Sequence, residues 1–429
     1  MECQLRESTD HLEHPVSAPR PSRPTLQQPR RPRTFALIAL ALVVLLGLAS
    51  PALALSDAQQ LVVEAWRLVN QSYVDPARFE AVHWRRLRQK TLERPIETSS
   101  DAYDAISAML APLGDPYTRL LRPDEYATLM ANTQGSVSGV GLQLALRSAD
   151  DQIVVIAPLD GSPAAEAAIP SGTAVLAVNG TSTSELGLEG TADALRGRGG
   201  SRVLLLLETP EGKRREVELE RRTVDLKPVR SRVLETKGHR LGYLRITQFS
   251  EPVPSQVQEV LAGENFQDID GLILDLRNNS GGLVSAGLAV ANGLLSNEPI
   301  VTTQDRDGLS SPSQAGPGEL YDGPMLTLVN GGTASASEIL AGALQDDGRS
   351  ELLGSRTFGK GLIQTLIPLG DGSGLAVTVA RYLTPSGRDI QNQGIEPDLA
   401  LAQPEPLNPG GEGDRWLEQA ASVLAERLA

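Results

Sequence analysis

The residues best placed to do chemistry lie in NGGTASASEIL, residues 330–340. The apolar run Met325-Leu326-Thr327-Leu328-Val329 before it reads as a buried strand, and Glu338-Ile339-Leu340-Ala341-Gly342-Ala343-Leu344 within and after it reads as a helix. Gly331 and Gly332 supply a tight turn between the two, and the small residues on either side let another backbone approach closely. A serine at the mouth of a strand–turn–helix exposes its hydroxyl beside the first, unpaired amides of the helix, which can hold a developing oxyanion. That is the geometry of an acyl-transfer nucleophile. The competing reading is a Ser/Thr-rich helix cap, because these residues favour N-cap positions.

A nucleophilic serine must lose its proton, and histidine is the usual acceptor. The chain has His11, His14, His83 and His239 only. The first two precede an apolar leading segment, and neither of the others stands in a Gly-rich or turn context. Arginine stays protonated, whereas lysine becomes a base if burial lowers its pKa. Among 39 basic residues the lysines are Lys90, Lys213, Lys227, Lys237 and Lys360. Lys360 stands in Phe358-Gly359-Lys360-Gly361-Leu362-Ile363-Gln364, between two glycines at the start of an apolar strand. On its own it reads as a turn lysine at a strand start. Set beside the serine turn and the lack of a placed histidine, it points to a Ser/Lys dyad.

The elements that must position this pair form an α/β region. From residue 240 onward strand and helix patterns alternate: 241–246, 253–262, 271–276, 284–295, then Met325 to Val329 and the serine helix. The run Gly271-Leu272-Ile273-Leu274-Asp275-Leu276-Arg277-Asn278-Asn279-Ser280-Gly281-Gly282 is a buried strand ending in a Gly pair, suited to donating backbone N–H groups at a sheet's carboxyl edge. Residues 304–318 are rich in Gly, Ser and Pro and read as a surface loop; 403–413 reads as a linker to an amphipathic helix over 414–428.

Two further units precede it. Residues 56–130 read as helical, with apolar positions at helical spacing over 58–70 and 101–113, closed by the turn Asp115-Pro116-Tyr117-Thr118. This unit fits a packing collar or a dimerisation arm equally well. Residues 135–222 hold short strands (153–156, 174–178, 203–207, 215–219) separated by Gly, Pro and Asn turns. Within them, Ser138-Gly139-Val140-Gly141-Leu142 precedes a strand, and its consecutive amides can line a nest for a carboxylate such as a peptide C-terminus; a plain turn is the alternative.

Composition bounds the rest. The 429 residues, 40% hydrophobic and 21% charged, suit two or three globular domains. Net charge is −14, and the first 34 residues hold six arginines and four acids, so the remainder carries −16. An acidic body argues against nucleic acid as a partner. The leading segment is Pro- and Arg-rich, then uncharged over 35–55, with Ala52-Leu53-Ala54 as a small-x-small site. It reads as an export signal cut after Ala54, with a retained membrane anchor as the rival. Arg30-Arg31 hints at twin-arginine export, although Pro32 follows directly. The one cysteine, Cys3, precedes that cut, which leaves the mature chain without disulfide, thiol nucleophile or Cys-based metal site. No H-E-x-x-H, P-loop or dinucleotide fingerprint occurs, so no metal and no small-molecule cofactor is expected.

Taken jointly, these motifs resemble the carboxyl-terminal processing peptidases, the tail-specific serine proteases. The stretch with Gly161-Ser162-Pro163-Ala164-Ala165 and Val178-Asn179-Gly180 is similar to a PDZ domain, departing from it at Ser171-Gly172-Thr173, where that family carries Pro-Gly-Asp. ILDLRNNSGG, NGGTASASEIL, GKGLIQT, Tyr382-Leu383-Thr384-Pro385-Ser386-Gly387-Arg388 and Gly394-Ile395-Glu396-Pro397-Asp398 follow in family order, and Asp115-Pro116-Tyr117-Thr118 belongs to the same resemblance. The resemblance implies an α/β protease core with an N-terminal helical segment and an inserted β-rich PDZ-like domain. Its divisions would be a leader 1–54, helices 55–131, the PDZ-like unit 132–223 and the catalytic region 224–429.

It further implies Ser335 as nucleophile and Lys360, 25 residues on, as general base. Gln364 would orient the lysine, Glu338 would be an acidic member of the site, and the amides of Gly281 and Ala336 would form the oxyanion hole. Gly139, Val140, Gly141 and Leu142 would bind the substrate's terminal carboxylate and gate cleavage near the C-terminus. The partner is then a protein with a free C-terminus, in a thylakoid lumen or periplasm, and the membrane enters only through the leading segment or a membrane-bound substrate. In oxygenic phototrophs members remove the C-terminal extension of a photosystem II reaction-centre precursor. A silent peptide-binding relative would lack the serine or the lysine, and an acyl-thioester enzyme of the crotonase type would have no use for the PDZ unit.

Overall fold

The computed structural model describes residues 55–134, 136–147, 152–158, 162–170, 172–209, 212–225, 227–402, 405–406 and 409–429. The leading segment 1–54, with its export-signal reading, Cys3, His11 and His14, lies outside the described residues. So do Gly161 and Ser171 of the PDZ-like motifs, and part of the 403–413 linker.

The site is carried by a six-stranded sheet in the order Val229–Thr236, His239–Ile246, Gly271–Asp275, Met325–Val329, Glu351–Gly354, Leu399–Ala400. The first pair is an antiparallel hairpin and every later neighbour is parallel. A parallel sheet is covered on both faces, so its strands read as continuous apolar runs. Gly271–Asp275 and Met325–Val329 are accordingly buried at every position. Alternate residues serve opposite layers, as the two-residue strand period requires. Leu272, Leu274, Met325 and Val329 pack with Val253–Ala262, Val284–Leu294 and the serine helix Ala336–Asp346. Ile273, Leu326 and Leu328 meet Trp416, Leu417 and Leu424 of the last helix, Arg415–Leu428.

A second sheet carries the strand that follows Lys360. Its central strand, Gly374–Leu383, pairs with Leu362–Pro368 on one edge; on the other it meets Arg119–Leu121 and Pro299–Asp305. The helices Asp57–Ser72 and Ser99–Leu110, each opened by a capping box from Ser56 and Thr98, bury Val62, Ala65, Ile106 and Met109 against Leu369, Leu375 and Val377 of this sheet. The helical segment is thus a packing collar on the second sheet and contributes a strand to it.

One expectation is corrected. Residues 304–318 are not a plain loop, since Ser310–Gln314 pairs antiparallel with Pro299–Asp305 as a hairpin. Ser310–Gln314 is an edge strand, exposed at four of its five positions. An exposed edge needs no apolar alternation and tolerates Pro312, so its composition imitates a loop.

The β-rich unit is a further six-stranded sheet, Leu142–Arg147, Gln152–Pro158, Ala174–Val178, Arg202–Glu208 and Arg214–Glu220 in order, with Thr181–Ser182 on Ala174–Val178. The helix Thr183–Leu195, which periodicity did not single out, closes a core of Val140, Val155, Ile169, Val175, Leu195, Val203 and Leu205. At the departing turn, Gly172 N–H donates to Val155 O and Val155 N–H to Thr173 O. The Thr173 hydroxyl is buried with no partner among the described residues. A ribbon of Ser136–Gly139 and Arg222–Asp225 ties this unit's two ends together.

Candidate active site

Ser335 is the N-cap residue of Ala336–Asp346 and adopts φ 58°, ψ −119°. A non-glycine residue at positive φ is held there only when its surroundings determine it, a strain that collects at functional sites. The constraint is visible. Glu338, fully buried in the first turn, accepts from Ser335 N–H at 2.9 Å, the carboxylate half of a capping box. The same carboxylate accepts from the Thr357 hydroxyl at 2.5 Å, Gly359 N–H at 2.7 Å and Lys360 N–H at 2.9 Å. One carboxylate therefore ties the serine turn to the lysine segment. Gly359 has φ 88°, and a Cβ there would stand 2.6 Å from Gly394 N, so only glycine lets this segment pass.

Tyr382 adds a second tie. Its buried hydroxyl donates to Lys360 O at 2.7 Å and lies 3.0 Å from Ser335 O, so the two backbones meet on one phenol. Burial, aided by Glu338, pushes that phenol far above its usual pKa and keeps it a donor.

The loop after Gly271–Asp275 approaches from the other side. Gly281 has φ 99°, and a Cβ on it would fall 2.8 Å from Ser335 Cβ and 3.0 Å from Ala336 N, so its backbone lies against the serine turn. Ala336 N–H, at the first helical position, has no intrahelical acceptor and takes no partner among the described residues. Gly281 N–H is engaged, donating to Asn279 Oδ1 at 3.0 Å. Asn279, fully buried, also donates from Nδ2 to Ile246 O, and its carbonyl accepts from Ala334 N–H and the Ser337 hydroxyl. Of the two amides expected as oxyanion donors, one is free and the other is held by a side chain.

Lys360 is half-buried, and burial pushes its amine below the usual lysine range. Arg119 adds to that lowering, while Asp115 and Glu338 oppose it. Its Nζ lies 4.8 Å from the centroid of the Tyr117 ring, and no hydrogen bond joins it to Ser335 Oγ. Gln364 does not meet the lysine. A β-bulge between Ile363 and Gln364 directs it to the Thr378 hydroxyl, 3.4 Å away, which itself donates to Asp115 at 2.7 Å.

Behind the site, Asp275 receives Arg277, Arg245 and the Tyr243 hydroxyl, and Arg277 reaches on to Asp414 at 2.6 Å. Burial alone would raise the Asp275 carboxyl, but the two guanidinium groups hold it down at about 2.

In the β-rich unit, Gly139 and Gly141 flank Val140 between two strands. Val140 O accepts from Ala164 N–H and Gly141 O from the Ser162 hydroxyl, which fixes the turn, and Leu142 opens a strand at the sheet's edge. Among the described residues no group of His, Cys, Asp and Glu has the arrangement of a metal site.

Two residues carry bonding that motif reasoning did not foresee. Tyr382 and Tyr117 stand within recognised motifs, yet their partners come from 22 to 243 positions away in the chain. The available signal was rarity, since the chain holds seven tyrosines and 3% aromatic residues, so a tyrosine inside a turn motif is worth a role of its own.

The pattern of peptidase family S41 matches residues 240–401, and that of the PDZ domain matches 128–208. The chain is 44% identical over 396 residues to a carboxyl-terminal-processing protease of Picosynechococcus sp., covering 91% of this chain and 95% of that one. It is 40% identical to a chloroplastic C-terminal processing peptidase of Tetradesmus obliquus, covering 85% and 82%. A solved photosystem II D1 C-terminal processing protease superposes with a TM-score of 0.64 at 38% identity, over 86% of this chain and 98% of that one.

Proposed function

The chain belongs to peptidase family S41 and carries a PDZ domain, and from that premise we propose that Ser335 and Lys360 cleave a protein near a C-terminus held by the PDZ unit. The observation that carries this reading is the Glu338 carboxylate, which binds the backbones of Ser335 and Lys360 into one rigid group. Such a buried knot fixes where nucleophile and base leave the backbone, and positioning is a large part of catalysis.

The chemistry follows from the parts. Neutral Lys360 takes the Ser335 proton as Oγ adds to the peptide carbonyl. The oxyanion that forms is held by Ala336 N–H and by Gly281 N–H, the latter exchanging Asn279 Oδ1 for the substrate oxygen. Collapse expels the C-terminal fragment as an amine, which takes the proton from the Lys360 ammonium. Water then releases the acyl group from Ser335. For the first step the lysine must leave Tyr117 and reach the serine hydroxyl. Gln364, through Thr378 and Asp115, holds the strand that follows Lys360 rather than the amine itself.

The PDZ reading rests on the edge strand Leu142–Arg147, beside which an extended chain can add as a further strand. Its carboxylate would then end at the turn formed by Gly139, Val140, Gly141 and Leu142. The substrate would be a precursor with a removable C-terminal extension, of the D1 kind if the host is photosynthetic. The compartment would be a thylakoid lumen or periplasm, reached through residues 1–54.

Residues 55–429, a peptide with an apolar, free C-terminus, and the variants Ser335→Ala and Lys360→Ala test the assignment. Wild type should cut, and both variants should fail while keeping the wild-type circular dichroism spectrum. Undiminished cutting by Lys360→Ala would place the base elsewhere. For the compartment, the protein isolated from its host should begin at Leu55, and a start upstream of Ala52 would refute the cleaved signal.

A further inference from the structure

The turn Asp115-Pro116-Tyr117-Thr118 enters the scheme above only as what the lysine leaves and as a brace for its neighbouring strand, yet it lies against the group proposed as the base. Lys360 Nζ stands 4.8 Å from the centroid of the Tyr117 ring, within the range at which an ammonium is attracted to a ring face. No carboxylate forms an ion pair with it among the described residues. Asp115, two residues before Tyr117, spends its oxygens on Tyr117 N–H at 2.9 Å, the Thr118 hydroxyl at 2.7 Å and the Thr378 hydroxyl at 2.7 Å. Thr118 Oγ in turn accepts from Thr378 N–H at 3.0 Å. These bonds bolt the turn that carries Tyr117 to Gly374–Leu383, the strand that pairs with the one beginning two residues after the lysine.

We propose that residues 115–118 are a positioning element for Lys360, in which the face of Tyr117 seats the ammonium. The ring face favours the charged amine; Arg119 and burial favour the neutral one; Asp115 and Glu338 again favour the charged one. The protonation of a lysine in the S41 core is thereby set partly by the N-terminal collar. This inference rests on Lys360 being the base.

The test is the acid limb of kcat/KM against pH, which reports the base in the free enzyme. Tyr117→Leu keeps the site apolar and removes the ring, so the limb should move to lower pH by on the order of half a unit or more. Tyr117→Phe, which keeps the ring face, should leave it in place. A lysine NMR titration reads the same quantity without activity, in a chain with five lysines where Lys360→Ala assigns the resonance. Failure of the wild type to cut would strike the protease reading, while the titration still judges this one. If Tyr117→Leu does not fold, Tyr117→Met, likewise apolar and without the ring, takes its place. Limb and resonance unmoved in the variant without the ring, or moved to higher pH, would overturn the proposal.

Discussion

Glu338 is the residue on which the site's geometry hangs. Four donors converge on its two oxygens, three of them backbone amides that no other acceptor serves. Glu338→Gln keeps the volume but turns an NH2 group toward donors, so at least one buried N–H loses its partner. Each such loss costs about 1–3 kcal/mol. Chemical denaturation should show the variant about 2 kcal/mol less stable, with kcat falling more than KM rises. Wild-type stability and kcat would show that the carboxylate is dispensable. At this scale the sequence was legible where chemistry is local. The serine at a helix start and the glycine-flanked lysine announce themselves by spacing. The capture of Gly281 N–H by Asn279 does not, because it depends on which way a side chain turns inside a closed loop. Nor does the bond from Gln364 to the Thr378 hydroxyl, which follows a bulge that resets the strand's register.

The strand Gly271–Asp275 and the helix Arg415–Leu428 are joined by charges as well as by apolar packing. Arg277, 1% exposed, lies between Asp275 and Asp414, and Asp414 also caps the helix through Leu417 N–H. Removing one partner of a buried pair leaves the other charge uncompensated, which costs about 3–5 kcal/mol. Asp414→Ala should lose that much stability in a denaturant titration, and a loss below about 1 kcal/mol would contradict the account. The pH dependence has a definite sign. Asp275 is depressed from 3.8 to about 2, so its contribution is complete above pH 4 and is lost as pH falls toward 2. Melting temperature should therefore drop through that window. Continuous apolar runs made the parallel strands readable, and helical spacing did the same for 253–262 and 414–428. The hairpin at 299–314 was unreadable because a polar edge strand carries no hydrophobic signature.

At the scale of the whole molecule, one sheet carries the serine turn, a second carries the strand after Lys360, and the N-terminal helices pack on the second beside the turn whose Tyr117 ring meets the Lys360 amine. The PDZ sheet is a separate core with an open edge strand. Motif order made this plan legible, but not which surfaces meet. Pairings such as Arg119 with Ala376 join residues more than 250 positions apart, and no local pattern encodes them. In the proposed scheme a free carboxylate, bound away from the serine, governs cleavage at Ser335. The most direct measurement is rapid-quench mass spectrometry of residues 55–429 mixed with one peptide in two forms, free acid and C-terminal amide. The free acid should deposit its N-terminal fragment as an ester on the segment bearing Ser335, the amide should do so far more slowly, and Lys360→Ala should form no adduct. An adduct on another residue, or equal acylation by the acid and the amide, would contradict it.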